Sequence, residues 1–288
     1  MSAGDDFVYG AATYLLMRQN LNPGPEGVCM LRVERQGELA IWIVDRPQRR
    51  NAMDWATMEA FAQTVEEAVR DPGLRVVILT GAERAFLSGA DLYEMAHYRT
   101  EADGYRLGQV MGEALRRLEE ASWISIAAIN GPARGGGVEV ALACDLRVMA
   151  QDADLAFVQV TWALTPGWGG GQRLRRRVGP GRALELLLTA RRIGAEEAFR
   201  LGLVERVAPA GQALAEALTL AREILRWDPE AVRAIKAVIR DGDSLPFREA
   251  LQIERERFAR LWAAPAHWAA LERFLQRNRG SPDPGHGA

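Results

Sequence analysis

Lysine is nearly absent from this 288-residue chain: of its 36 basic residues only Lys236 is not arginine, and asparagine is also scarce. The pattern reads as the coding bias of a GC-rich genome, with selection for bidentate guanidinium contacts to anions as the competing explanation. The three histidines, His97, His267 and His286, are scattered without metal-ligand spacing, so no metal centre is expected. Two cysteines, Cys29 and Cys144, cannot build a disulfide framework and point to a reducing compartment. No apolar run approaches the roughly 18 residues of a membrane span. The opening MSAGDDFVYG is acidic where an export signal is basic, so a cytoplasmic location is expected. A formal net charge of −2 leaves no bulk footprint for nucleic acid or an anionic membrane surface. The phosphate-binding units GxxxxGK[ST] and strand–GxGxxG–helix are missing, which removes the usual signatures of nucleotide hydrolysis and nicotinamide binding.

What is present is an ordinary globular composition, 48% hydrophobic and 26% charged. Residues 1–27 show no sustained period and read as an N-terminal extension. From Val28 to about Pro209, strand-like and helix-like runs alternate. VCMLRVER and ELAIWIVDRP flank Gln36-Gly37 as a hairpin. Asp54 to Arg70 carries Met58, Phe61, Val65 and Val69 at helical spacing, and RVVILTG follows as a strand. A helix over Tyr105–Ala121 precedes the strand SIAAING; a helix after Gly135 precedes the strands LRVMA and LAFVQV. Strands apolar on nearly every residue, joined by helices, predict an α/β core with parallel crossovers. Residues 210–279 read as helical only: Gln212–Trp227, Pro229–Arg240 and Pro246–Arg277, the last interrupted near Pro265. Residues 280–288 read as a loose tail.

Three glycine-containing turns follow strands, where α/β proteins place ligands. They are Ala85-Phe-Leu-Ser-Gly-Ala-Asp-Leu92, Asn130-Gly-Pro-Ala-Arg-Gly-Gly-Gly-Val-Glu-Val140 and Thr165-Pro-Gly-Trp-Gly-Gly-Gly171. In the second, the glycines let backbone amides approach a ligand, and the helix that starts there aims free N–H groups at it. That arrangement suits a developing oxyanion. Glu139, one turn into this helix and flanked by valines, is a carboxylate in apolar surroundings, suited to proton transfer. The competing reading makes it a partner of the helix dipole. A capping box is disfavoured, because the position three residues earlier is Gly136.

Four segments resemble, in order and spacing, the signature blocks of the crotonase family, the enoyl-CoA hydratase/isomerase superfamily: Val44-Asp-Arg-Pro-x-x-x-Asn-Ala-Met53, AFLSGADL, NGPARGGGVEVALACDLRVMA and PGWGGGQRL. The resemblance spans roughly Val28 to Arg277. It implies a spiral of ββα units with a helical C-terminal trimerisation region, assembled as a homotrimer or a dimer of trimers. It implies an acyl-CoA substrate, with coenzyme A entering as part of the substrate and no separate cofactor, in reactions of fatty acid metabolism. The amides of Ala90 and Gly136 would form the oxyanion hole and Glu139 would handle the proton. Asp91 would organise the first turn, and Ser88, Gly89, Asp91 and Leu92, with Gly135 of the second turn, would bind the acyl-CoA substrate. Arg46, Asn51 and Ala52 would frame the CoA moiety, and Lys236 matches a basic position near the CoA adenine or phosphates. A solvated Lys236 and a merely turn-capping Asp91 are the competing readings.

The chain departs from the hydratase pattern at one place. Where those enzymes carry a second glutamate, counting back from Pro166 gives Gln159, an amide that cannot exchange a proton at neutral pH. Asp152 or Asp154 entering from the preceding loop is the alternative. Gln159 disfavours efficient hydration and favours single acid/base chemistry on an enolate, such as double-bond isomerisation or decarboxylation of a malonyl-type thioester. The segments FVQ and PGWGG are similar to the branch acting on ethylmalonyl- and methylmalonyl-CoA. A non-catalytic CoA-binding scaffold is the competing class. Trp162 and Trp168 are candidates for the acyl pocket, with core packing as the alternative. Cys144 reads as a small buried hydrophobe, and the run Arg173–Arg177 as a solvated face or interface.

Overall fold

The computed structural model describes residues 30–279, so the calls on residues 1–27 and on the 280–288 tail lie outside the described residues. Strand β1 (Leu31–Gln36) pairs antiparallel with β2 (Leu39–Val44) through a turn at Gly37, whose φ of +61° suits glycine. Helix α1 (Trp55–Val69) is capped by Asp54, whose side chain accepts the amide of Thr57. It leads to β3 (Val76–Gly81), parallel to β2. The short α2 (Leu92–Met95) and the long α3 (Glu101–Glu120) follow, the latter started by a Thr100/Asp103 capping box. Next come β4 (Ile124–Ile129), β5 (Ala133–Arg134), α4 (Gly136–Ala143), β6 (Leu146–Ala150) and β7 (Asp154–Ala156). Helix α5 (Gly170–Thr189) bends at Gly179-Pro180, where proline removes a helical donor. Then β8 (Ile193–Gly194), α6 (Ala195–Arg200) and β9 (Arg206–Ala208) precede α7 (Ala213–Leu225), α8 (Pro229–Ser244), α9 (Phe247–Trp262) and α10 (Pro265–Arg279).

The main sheet has the order β1-β2-β3-β4-β6-β9, parallel from β2 onward. Strands β2, β3 and β4 are buried at every residue, as sheets covered on both faces require. A smaller sheet, β5-β7-β8, stands beside it. Because five strands run the same way, the turns after β3 and β4 emerge at one edge, and that edge carries the site.

The α/β reading and the helical C-terminal part hold. The predicted strand LAFVQV does not extend as far as expected. β7 stops at Ala156, and Gln159–Trp162 forms a 3-10 turn that swings Gln159 toward α4. The helical run over Pro246–Arg277 is two helices, since proline at 265 cannot continue the first. The short β8, α6 and β9 carry too few residues for a periodic signal.

Candidate active site

The turn after β3 is braced from the first block. Asn51 is fully buried, and its side-chain amide donates to the carbonyls of Ala82 and Ala85 at 2.9 and 2.8 Å. Met53 donates to the Gly89 carbonyl and accepts the Asp91 amide, both at 2.8 Å, which fixes Ala90 between them. Among the described residues the Ala90 amide has no acceptor. Asp91 caps α2 by accepting from Tyr93 and pairs with Arg46 at 3.1 Å; Arg46 also pairs with Asp54 at 2.9 Å and donates to the Ala52 carbonyl. The side chains of Arg46 and Asn51 therefore hold the turn from within.

The turn after β4 is packed so closely that its glycines cannot be replaced. Gly135 sits at φ +51°, and a Cβ at Gly137 would stand 2.0 Å from the Leu87 carbonyl oxygen. A Cβ at Gly136 would stand 2.4 Å from the Trp168 ring. A Cβ at Gly89, itself at φ +89°, would stand 3.0 Å from the Gly136 nitrogen, so the two turns touch. Helix α4 has no side-chain N-cap, and the Gly136 amide, like that of Ala90, meets no acceptor among the described residues.

Glu139 is 2% exposed beneath these amides. Its Oε2 accepts the backbone N–H groups of Trp168 and Gly170 at 2.8 and 2.7 Å, and its Oε1 accepts Nε2 of Gln159 at 2.8 Å. Gly170 is glycine by necessity, since a Cβ there would lie 2.3 Å from Glu139 Cγ. Burial pushes the Glu139 carboxyl above the usual carboxylate range, and the donors from Gly170, Trp168 and Gln159 act against that rise. It is a carboxylate that takes up a proton more readily than an exposed one.

Other expectations divide. Gln159 reaches Glu139, whereas Asp154 pairs with Arg134 and exposed Asp152 accepts from Gly211. Trp168 packs on Gly136 and starts two residues before α5, while Trp162 is exposed at the end of its 3-10 turn. Leu92 opens α2 and is exposed. Cys144 is buried, its thiol pushed up to about 12 by burial. Within the Arg173–Arg177 run, Arg173 is bound to Glu119. Lys236 is not the solvated side chain of the competing reading. It is buried, with Nζ donating to the Trp123 carbonyl at 2.8 Å and to Asp145 at 2.7 Å. Trp123 and Asp145 precede β4 and β6, so Lys236 sits at the opposite edge of the sheet from the turns, about 20 Å away along the strands.

Sequence reasoning missed a cavity of about 390 Å³ beside the first turn. Its lining includes Ser88, the arginines Arg50, Arg84, Arg134 and Arg192, and the carboxylates of Glu83 and Asp154, the last paired with both Arg134 and Arg192. The abundance of arginine was the available signal, but it is spread over the whole chain, and only folding gathers these four.

A model of the enoyl-CoA hydratase/isomerase family matches residues 34–280. The chain is 35% identical over 248 residues to a short-chain-enoyl-CoA hydratase of Clostridium acetobutylicum, covering 86% of this chain and 95% of that one. It is 34% identical over 260 residues to an ethylmalonyl-CoA decarboxylase of Danio rerio, covering 88% and 86%. The crystal structure of an enoyl-CoA hydratase from Bacillus anthracis superposes with a TM-score of 0.82 at 34% identity, covering 86% of this chain and 97% of that one. With four motif blocks folded around one buried glutamate and matches of this extent, the chain belongs to the enoyl-CoA hydratase/isomerase family.

Proposed function

We propose that the protein acts on an acyl-CoA thioester through an enolate, in a hydratase/isomerase-type reaction. The observation that carries this is the pairing of two free backbone amides, Ala90 in the turn before α2 and Gly136 at the start of α4, with the buried carboxylate of Glu139 one turn into α4. The thioester oxygen accepts the two N–H groups. Glu139 takes a proton from carbon, and the charge that appears on oxygen meets donors already in place. Nothing has to reorganise as that charge forms, which is why preorganised amides stabilise it.

The arginine-lined cavity takes the phosphates of CoA, with Ser88 between it and the amides. Arg46, Asn51 and Ala52 shape the intervening wall through the turn they brace, and Trp168 closes the acyl side against Gly136. Leu92 and Trp162 extend an apolar surface from there. The exposed Ile235, Ile239, Phe247, Phe258 and Phe274 of α8 to α10 are the faces that a homotrimer or a dimer of trimers buries.

A second reading is decarboxylation of a malonyl-type thioester. It is favoured by Gln159, because departure of carbon dioxide leaves an enolate that needs one proton donor and no base for water. The test is mass spectrometry of enoyl, saturated and malonyl-type CoA thioesters in heavy water, with Glu139→Gln alongside. Deuterium uptake or double-bond migration, lost in the variant, supports the first reading. Loss of carbon dioxide supports the second, and CoA binding without any turnover would make the protein a scaffold.

A further inference from the structure

One oxygen of Glu139 is held by backbone alone. Oε2 accepts the N–H groups of Trp168 and Gly170, while Oε1 accepts Gln159 and keeps a lone pair free for the proton. Trp168 lies two residues before α5 and Gly170 is its first residue, so the carboxylate is only as fixed as the backbone at 168–170. That stretch has little to hold it from within. It reads Trp-Gly-Gly, Gly169 sits at φ +92°, and α5 has no side-chain N-cap.

The hold comes from Arg173, whose side chain is 11% exposed and folds back over the start of its own helix. Its Nη1 donates to the Trp168 carbonyl at 2.7 Å, and Nε and Nη2 donate to the two carboxylate oxygens of Glu119 at 2.7 and 2.6 Å. The planar fork therefore ties the Trp168 peptide to α3. Gly169 leaves room for it, since a Cβ there would stand 2.6 Å from Arg173 Nη1. Helix α3 meets the same loop at a second point, where a Cβ on Gly108 would stand 3.1 Å from the Gly167 carbonyl oxygen. Trp168 thus receives a hydrogen bond from Arg173 at its carbonyl and gives one to Glu139 at its N–H.

Charge is not what Arg173 brings, because Glu119 neutralises it. The other charged groups on the surrounding elements are also paired away from Glu139: Arg134 of β5 with Asp154 of β7, Arg46 with Asp91 in the first turn, and Arg177 of α5 with Glu205. Cys144, at the end of α4, is kept protonated by burial. No ion pair reaches Glu139 among the described residues. We infer that Arg173, anchored by Glu119, is a positioning residue for Glu139, fixing the backbone whose two N–H groups hold the carboxylate. Its bearing on turnover rests on the reading of Glu139 as the proton acceptor. Without the fork those donors drift, the ionised form loses hydrogen bonds, and the carboxyl keeps its proton to higher pH.

Carbon-13 at the glutamate side-chain carboxyls, followed by NMR across pH on the full chain without substrate, tests the hold itself. The Glu139 signal is the one missing in Glu139→Gln. Arg173→Lys keeps the cation without the fork, and Glu119→Met removes the anchor and leaves the cation unneutralised. The Glu139 midpoint should move up by about 1 pH unit in both, the size of one lost hydrogen bond to a charged group. Charge alone predicts no movement in Arg173→Lys and a downward one in Glu119→Met. A midpoint that fails to rise in either variant overturns the inference. If Glu119→Met does not fold, Glu119→Gln, which loses the charge and one acceptor oxygen, takes its place with the same expected rise. Turnover is not read in this experiment, so its failure is separate from failure of the enolate reading, which Glu139→Gln kinetics decide.

Discussion

At the scale of single residues, Glu139 sets the pH behaviour. As a base it works only when ionised, and burial raises its carboxyl above the ordinary value of 4.5. The rate should therefore rise with pH along a limb displaced upward from the usual carboxylate range, measurable as kcat against pH. Glu139→Gln should lower kcat by about 10²–10⁴-fold, the usual contribution of a positioned acid/base, with little change in KM. The same shift affects stability in the opposite sense. Between the ordinary value and the raised one, the native state holds the proton more firmly than the unfolded chain. Stability therefore falls as pH rises through that window, and the loss persists above it. Glu139→Gln removes that loss, so its thermal midpoint at neutral pH should equal or exceed the wild-type value. Gly170→Ala makes the complementary case. A methyl placed 2.3 Å from Glu139 Cγ displaces the carboxylate, and an error near 1 Å in a reacting group costs on the order of 10²-fold. Steady-state kinetics on the folded variant would show it.

At the scale of elements, the parallel strands separate support from chemistry. The turns at the C-terminal ends of β3 and β4 carry the amides, while Lys236 on α8 ties the N-terminal ends together through Trp123 and Asp145. Burial lowers the Lys236 ammonium from its usual value while Asp145 opposes the change. Lys236→Met leaves Asp145 without its cation, at a cost on the order of 3 kcal/mol. Chemical denaturation should detect that loss, with KM for the CoA thioester unaltered. A rise in KM instead would restore the CoA contact to this lysine.

At the scale of the whole molecule, the arginine cavity collects residues from four separate segments, at 50, 84, 134 and 192. Replacing Arg84 and Arg192 by alanine should raise KM for an acyl-CoA tenfold or more and steepen no salt dependence, while an acyl-pantetheine lacking the nucleotide should be processed as before. The comparison isolates phosphate recognition from the chemistry. On the proposed homotrimer or dimer of trimers, sedimentation equilibrium should return three or six copies of the chain, with the exposed apolar side chains of the C-terminal helices covered.

The sequence by itself determined the α/β core, the order of its principal elements, the three glycine turns and Glu139. These signals are local: apolar period, glycine where backbones must touch, and a lone carboxylate set between valines. Gln159 was also legible, because it stands a fixed 20 residues after Glu139. Tertiary structure alone decided the rest. It ended β7 early so that Gln159 could meet Glu139, gathered four distant arginines into one cavity, and buried the single lysine away from the site. The reason is physical. Backbone conformation follows from neighbours a few residues away, whereas the partner of a charged or amide side chain is whichever group folding brings within about 3 Å, and sequence spacing does not encode that meeting.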